Sequence, residues 1–200
     1  MQRSSGTYGQ GGVRVKKLWV LVAALFLFGC SGESAEMSRG LVLREKLLSC
    51  NGCSFVAEIT ADFGDMTYTF TLDCQGNPDG SLAFEVQKPD TISGIRGTLS
   101  AAGGKITFDE DRAVAFPMLA EGEVTPVSAP WVLYNTLRSG YLFACGMEGE
   151  QLRLTLNDSY EEEVLQVEVW LDQEDQPESA EIIWKGRRVL TVYVTNFRYL

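Results

Sequence analysis

The sequence predicts an α+β chain that is mainly β. Its centrepiece is a single curved antiparallel sheet of about ten strands, an open half-barrel, with helices across the concave face. Three observations carry this expectation. From Phe55 to the last residue, apolar and polar side chains alternate over short runs separated by Gly, Asn, Asp and Pro, the period of half-buried strands. Each run is joined to the next by a short turn, which favours antiparallel neighbours. Two helical segments, one before the first strand and one mid-chain, supply the cover that one face of an open sheet requires.

Taken in order, residues 36–48 read as an amphipathic helix. Met37, Leu41, Leu47 and Leu48 recur near helical spacing, Gly40 is a poor helix former, and Asn51-Gly52 is the stop. In residues 55–63, Phe55, Ala57, Ile59, Ala61 and Phe63 point one way; in residues 66–74, Met66, Tyr68, Phe70, Leu72 and Cys74 do the same. Gly64-Asp65 joins these two strands, and Asn77-Pro78-Asp79-Gly80 makes the next turn. Further strands are expected over 82–86, 94–100, 105–108 and 113–116, with turns at Gly103-Gly104 and 109–112. The latter, Asp-Glu-Asp-Arg, lacks the spacing and glycine of a calcium loop and reads as a solvated charged turn. Residues 117–140 break the alternation with three prolines. Pro130 suits the first turn of a helix that carries Trp131, Tyr134 and Leu137 on one face and stops at Gly140, so this insert covers something. Strands then return over 141–147, 151–157, 164–172, 180–185 and 189–199, with an acidic turn at 172–179.

The first thirty residues have a different character. Residues 1–17 carry Arg3, Arg14, Lys16 and Lys17 and no acid, and residues 18–28 are unbroken apolar sequence. That run is well short of the roughly 20 residues a spanning helix needs, and suits the h-region of an export signal. Its end, Leu27-Phe28-Gly29-Cys30, resembles the lipobox of bacterial lipoproteins, with Phe28 bulkier than the usual small residue. The resemblance implies cleavage before Cys30, a diacylglyceryl thioether on Cys30 and acyl chains in the membrane. The domains then read as a signal peptide (1–29), lipidated Cys30 with a short tether (30–35) and a half-barrel domain (36–200). The tether reaches less than about 20 Å at 3.3 to 3.6 Å per extended residue. The expected location is extracytoplasmic, anchored by lipid to the cell membrane, the outer one if the host has two.

Composition narrows the chemistry. Removing residues 1–29 takes away four basic side chains and no acidic one, so the net charge of −10 becomes −14. A nucleic-acid partner is excluded on charge, because phosphate binding needs a basic patch. The chain has no histidine, which removes Ser-His-Asp and Cys-His catalysis and His-ligated metals. No phosphate-binding glycine loop or nucleophile elbow appears. The expectation is a protein that is not an enzyme, with no cofactor and no metal. Cys50, Cys53, Cys74 and Cys145 remain after Cys30. In an exported chain four cysteines suggest structural disulfides, with three connectivities open; free thiols come second, and redox or metal chemistry at Cys50-Asn51-Gly52-Cys53 last.

The order of elements resembles the half-barrel shared by the periplasmic lipoprotein carrier and outer-membrane receptor of the lipoprotein-sorting pathway, and by lipid-binding mycobacterial lipoproteins. It rests on the helix before the first strand, the hairpin FVAEITADFGDMTYTF, the strand ending in EVQKPDTI, the Pro-rich helical insert and the final QPESAEIIWKGRRVLTVYVTNFRYL pair. The resemblance implies an acyl chain or glycolipid held between sheet and helices. The side chains available to line such a cavity are Phe55, Ile59, Phe63, Tyr68, Phe70, Phe84, Trp131, Tyr134, Leu137, Tyr141 and Phe143, the same types that fill an ordinary core. Two functions therefore stand side by side: a membrane-anchored lipoprotein that binds a lipid or other apolar ligand, and an interaction module that recruits or regulates an envelope enzyme or signalling protein.

Overall fold

The computed structural model describes residues 35–107, 120–159 and 164–200. Cys30, residues 31–34, the charged turn at 109–112 and the strand expected at 113–116 lie outside them. Residues Glu36–Leu200 form one compact unit. Helix α1 (Ala35–Ser49) precedes β1 (Cys53–Asp62), β2 (Thr67–Gly76), β3 (Leu82–Lys88), β4 (Arg96–Ser100) and β5 (Gly103–Thr107). Helix α2 (Ala129–Ser139) then leads into β6 (Tyr141–Glu148), β7 (Gln151–Asn157), β8 (Leu165–Leu171), β9 (Pro177–Trp184) and β10 (Arg187–Tyr199).

The ten strands form one open antiparallel sheet in the order β5-β4-β3-β2-β1-β10-β9-β8-β7-β6. It is the open half-barrel architecture expected, built as two five-strand meanders that meet where β1 pairs with β10, with Ala57 opposite Val194 and Ile59 opposite Val192. Alternation sets the two faces. On β1, Cys53, Phe55, Ala57, Ile59 and Ala61 are buried on the inner face while Glu58 and Asp62 face solvent. The pattern continues with Leu82, Phe84 and Val86 on β3 and Leu152, Leu154 and Leu156 on β7. Each such side chain, once fully buried, contributes about 1.5 to 3 kcal/mol. The β1–β10 register shifts between Ser54 and Val56, and Asn196 on the facing strand takes up the extra residue at φ +56°, a conformation that Asn tolerates better than most residues.

Several boundaries differ from the sequence reading by a few residues, two of them at turns. Strand β5 starts at Gly103, so its turn is Ala101-Ala102. Strand β9 begins at Pro177 and shortens the acidic turn, because a proline is tolerated as the first residue of a strand.

Both helices lie on the inner face. Gly40, the weak position of α1, lets the helix approach the sheet closely: a Cβ there would stand 3.1 Å from Leu154 Cδ2 and 3.2 Å from Leu142 Cδ2. Arg39 fastens the first half of α1 to the β8–β9 turn through Asp175, 2.6 Å away. Helix α2 rests on the β2–β3 turn, where Tyr134 Oη donates to Asn77 O (2.8 Å) and Trp131 Nε1 to Gly80 O (3.2 Å). The Tyr134 ring covers Gly76 so closely that a Cβ would meet it at 2.6 Å.

The helices are joined by an exchange of arginines. Arg44 of α1 donates from Nε to Leu137 O (2.9 Å) and from Nη2 to Gly140 O (2.7 Å), satisfying carbonyls that the end of α2 leaves without helical partners. Arg138 of α2 donates to Leu47 O (3.0 Å), Tyr134 Oη (2.8 Å) and Pro78 O (2.6 Å). Hydrogen bonds to a charged donor contribute about 1.5 to 3 kcal/mol each when partly buried. Arg138→Met should therefore lower unfolding stability by about 2 kcal/mol or more in urea titration, against less than about 0.5 kcal/mol for the exposed control Arg198→Met.

Candidate functional site

The inner face of the sheet is the surface that a ligand cavity would use, and the eleven candidate lining residues divide on it into three groups. Phe55, Ile59, Phe70 and Phe84 lie on it, Tyr134 and Leu137 come from α2, and all six are between 0% and 7% exposed. They belong to one continuous core with Leu43 and Leu47 of α1 and Val132 and Leu133 of α2. Phe63 and Trp131 pack against that core half-buried. Tyr68, Tyr141 and Phe143 are exposed at 44%, 47% and 44%.

Physical reasons separate the third group. Tyr68 shares the parity of Phe70 but stands near the β1–β2 turn, where it packs edge-on against Phe63 with centroids 5.6 Å apart. On β6 the register with β7 shifts between Leu142 and Ala144. The bulge breaks the alternation, so Leu142 and Cys145, not Tyr141 and Phe143, are the residues of β6 that pack on the core. Sequence reasoning also missed Phe197 and Tyr199. Phe197 stacks on Phe55 at 6.1 Å and meets Tyr199 edge-on at 5.2 Å. The signal was available in the alternation of Val194, Phe197 and Tyr199 once the one-residue slip at Asn196 is allowed for.

The Pro-rich insert supplies the remaining cover. Val124, Val127 and Ala129 are buried in the core, and a one-turn 3-10 helix at Pro126–Ser128 is closed by reciprocal Thr125–Ser128 bonds. Lys185 in the β9–β10 turn pairs with Glu121 at 2.8 Å. What the insert covers is the chain's own sheet.

The four described cysteines stand as free thiols in this structure. Cys145 Sγ lies 3.7 Å from Met37 Sδ near the start of α1, while Cys50 follows its far end. At 1.5 Å per residue the helix separates these positions by about 20 Å, well beyond the Cα separation a disulfide allows. Cys53 stands opposite Gly76 and Cys74 opposite Phe55 in the β1–β2 ladder, which makes them diagonal neighbours on the inner face. Burial pushes the Cys53 thiol up to about 12 and the Cys74 thiol well above its ordinary 9.0. Since the thiolate is the nucleophile and the metal ligand, these two groups act as small apolar side chains at neutral pH. Among the described residues no cluster of three or more His, Cys, Asp and Glu is placed to hold a metal.

On the outer face, Glu168 accepts from Arg153 Nη2 (2.6 Å) and from Gln166 Nε2 (3.0 Å). It stands directly opposite Glu181, which Arg188 pairs at 2.6 Å. Two carboxylates in register would repel; each is neutralised by its own arginine, which makes the pair a device for holding β7, β8, β9 and β10 in place. Nearby, Trp170 Nε1 donates to Glu148 Oε2 at 3.1 Å.

No protein-family model matches the chain, and no curated protein matches it. Among solved structures it is similar to a LolA superfamily protein from Nitrosomonas europaea, at 9% identity and TM-score 0.42, over 80% of this chain and 92% of that one. It is also similar to the Mycobacterium tuberculosis lipoprotein LppX, at 9% identity and TM-score 0.38, over 82% and 93% of the two chains. The Pseudomonas aeruginosa MucA/MucB complex matches at 10% identity and TM-score 0.38, over 83% of this chain and 57% of that one.

The thiols give a direct check. A folded-state pKa raised above the unfolded value contributes stability that is complete below pH 9 and is lost as pH rises toward 12. The Tyr199 hydroxyl, raised by burial from 10.0 to about 12, acts with the same sign. Unfolding stability should be flat from pH 7 to 8.5 and fall above pH 9, with a shallower fall in Cys53→Ala. A thiol reagent at pH 7.5 should reach Cys53 and Cys74 only after denaturation; thiols that stay silent in the denatured chain would mean disulfides.

Proposed function

We propose that this chain is an extracytoplasmic, lipid-anchored module that works by contact with another envelope protein. The observation that carries the reading is the filled inner face. The six best-placed lining residues are at most 7% exposed, and the groups covering them are the chain's own helices and insert, held by Arg44 and Arg138. A ligand in that space would have to displace α2 and unmake the bonds of Trp131, Tyr134 and Arg138 to the β2–β3 turn.

The anchor belongs to the same proposal and rests on residues 1–30: a basic start, an eleven-residue apolar run and Gly29-Cys30. Each buried methylene contributes about 0.8 kcal/mol, so two or three acyl chains on Cys30 would hold the protein firmly where one would not. With a mature charge of −14, electrostatics does not draw the body toward anionic headgroups. The short tether keeps the domain near the bilayer, within reach of membrane-bound partners.

Two measurements separate the parts. Cells fed an alkyne fatty acid should label the wild-type chain and leave Cys30→Ala unlabelled; a label that persists on the variant overturns the anchor. Cys30→Ala, purified from cells without detergent and extracted with organic solvent, should release no lipid in stoichiometric amount. One lipid per chain would overturn the interaction reading in favour of an apolar-ligand carrier.

A further inference from the structure

We infer that the solvent-facing side of α1 rests on the lipid surface of the membrane that holds the anchor, with Leu41, Val42 and Leu48 entering the apolar boundary beneath the headgroups. The inference rests on the anchor proposed above and says how the anchored domain is oriented.

The sequence pattern groups Leu41, Leu47 and Leu48 on one apolar face of α1, and the structure separates them. Leu43 and Leu47 are each 1% exposed and lie with Gly40 on the buried side of the helix. Leu41, Val42 and Leu48 are 39%, 43% and 54% exposed on the other side. At 3.6 residues per turn these three span about 120° of the helix circumference, and the other residues on that arc are Ser38, Glu45 and Ser49. Single exposed leucines are ordinary. Three large apolar side chains between positions 41 and 48, with Glu45 as the one charge among them, make a patch that marks an interaction surface.

A hollow of about 400 Å³ on this side is lined by Leu41, Arg44, Glu45, Leu48 and Ser49. The Arg44 guanidinium is turned toward α2, where it meets Leu137 O and Gly140 O. Its stem borders the patch while its charge is directed elsewhere.

Position, area and charge together select a lipid surface as the occupant. Helix α1 begins at Ala35, five residues after Cys30, so its first turn stands less than about 20 Å from the bilayer at full extension of the tether. The 15 residues of α1 make a rod about 22 Å long, which can lie along the bilayer without stretching that tether. The area is small: three side chains on the convex side of a helix fall far below the roughly 20 to 30 residues a side of a stable protein interface, whereas lipid requires no matching shape. The mature charge of −14 gives no attraction to anionic headgroups, so the contact has to be apolar. Glu45, between Leu41 and Val42 on the arc, faces the ammonium groups of zwitterionic headgroups. Acyl chains in the bilayer raise the effective concentration of the patch at its surface, which turns a weak contact into a persistent one. Because α1 lies on the inner face of the sheet, this contact turns the outer face, with Val56, Ile183 and Tyr193, away from the bilayer.

The full chain purified from cells and placed in phosphatidylcholine nanodiscs, with its methyl groups labelled for NMR, tests this when a small share of the lipid carries a nitroxide in the headgroup. Mass spectrometry of the N-terminal peptide reports acylation of Cys30 in the same sample. The Leu41, Val42 and Leu48 methyls should broaden about threefold or more beyond those of Val56 and Ile183, and the contrast should survive high salt, because an apolar contact is not screened. The double variant Leu41→Gln with Leu48→Gln, at two exposed positions, should equalise the broadening and leave the urea midpoint unchanged. An acylated chain whose α1 methyls broaden no more than those of Val56 overturns the orientation and leaves the anchor standing. A contrast that high salt removes overturns it as well. So does a dimer in sedimentation that the double variant dissolves, since the patch would then serve a second copy. An N-terminal peptide without acyl chains overturns the anchor and this inference together.

Discussion

The exchange of Arg44 and Arg138 between the two helices is the constraint on which the rest of the structure depends. Each guanidinium leaves its own helix and ends on backbone carbonyls of the other: Arg44 on Leu137 and Gly140, Arg138 on Leu47. Carbonyls at a helix end have no helical partner, and a buried one without a donor destabilises the fold by about 1 to 3 kcal/mol. Arg138 also reaches Pro78 in the β2–β3 turn and the Tyr134 hydroxyl, so the same contact that joins the helices pins them to the sheet. Side chains that look able to line a cavity become core because these cations hold the cover shut.

A closed interior moves the search for function to the surface, and the surface is uneven. The outer face over β7 to β10 carries paired charges, Glu168 with Arg153 and Glu181 with Arg188, which leave few unmatched groups for a partner. Strand β6 is the opposite case, with no charged residue from Tyr141 to Met147 and several large apolar side chains exposed. That exposure and the burial of the inner face share a cause. The bulge at Phe143 lets Leu142 and Cys145 pack on the core near Gly40 of α1 while the two aromatic rings turn out.

The fold was legible in the sequence wherever the period was strict. Residues 55–63 alternate without interruption and show the inner face of β1 and its hairpin partner directly. Helix α2 announced itself through Pro130 and Gly140. The pairing of β1 with β10 was not legible, because it joins segments more than a hundred residues apart and no local turn specifies it. The candidate site was readable only in part. Phe55, Ile59, Phe70 and Phe84 were placed on the correct face by parity, and Tyr134 and Leu137 on the buried side of α2 by helical spacing. Tyr141 and Phe143 were misplaced because a single bulge reverses parity, and Phe197 and Tyr199 were missed because a second slip, at Asn196, does the same. The pairing of the cysteines was not legible for a different reason. An even count says nothing about distance, and α1 holds Cys50 and Cys145 apart. The arginine exchange left no trace in any pattern, since Arg44 and Arg138 read as ordinary surface residues of amphipathic helices.

The central claim is that α2 belongs to the closed core and is not a lid over a binding cavity. Native-state hydrogen exchange across α2 in increasing denaturant tests it most directly. If the helix is part of the core, the amides of Val132 to Leu137 exchange with the same opening free energy as those of Ala57 and Ile59 in β1, and only through global unfolding. Opening of α2 at a free energy lower by about 2 kcal/mol or more, with β1 still protected, would contradict the account and restore the inner face as a ligand site.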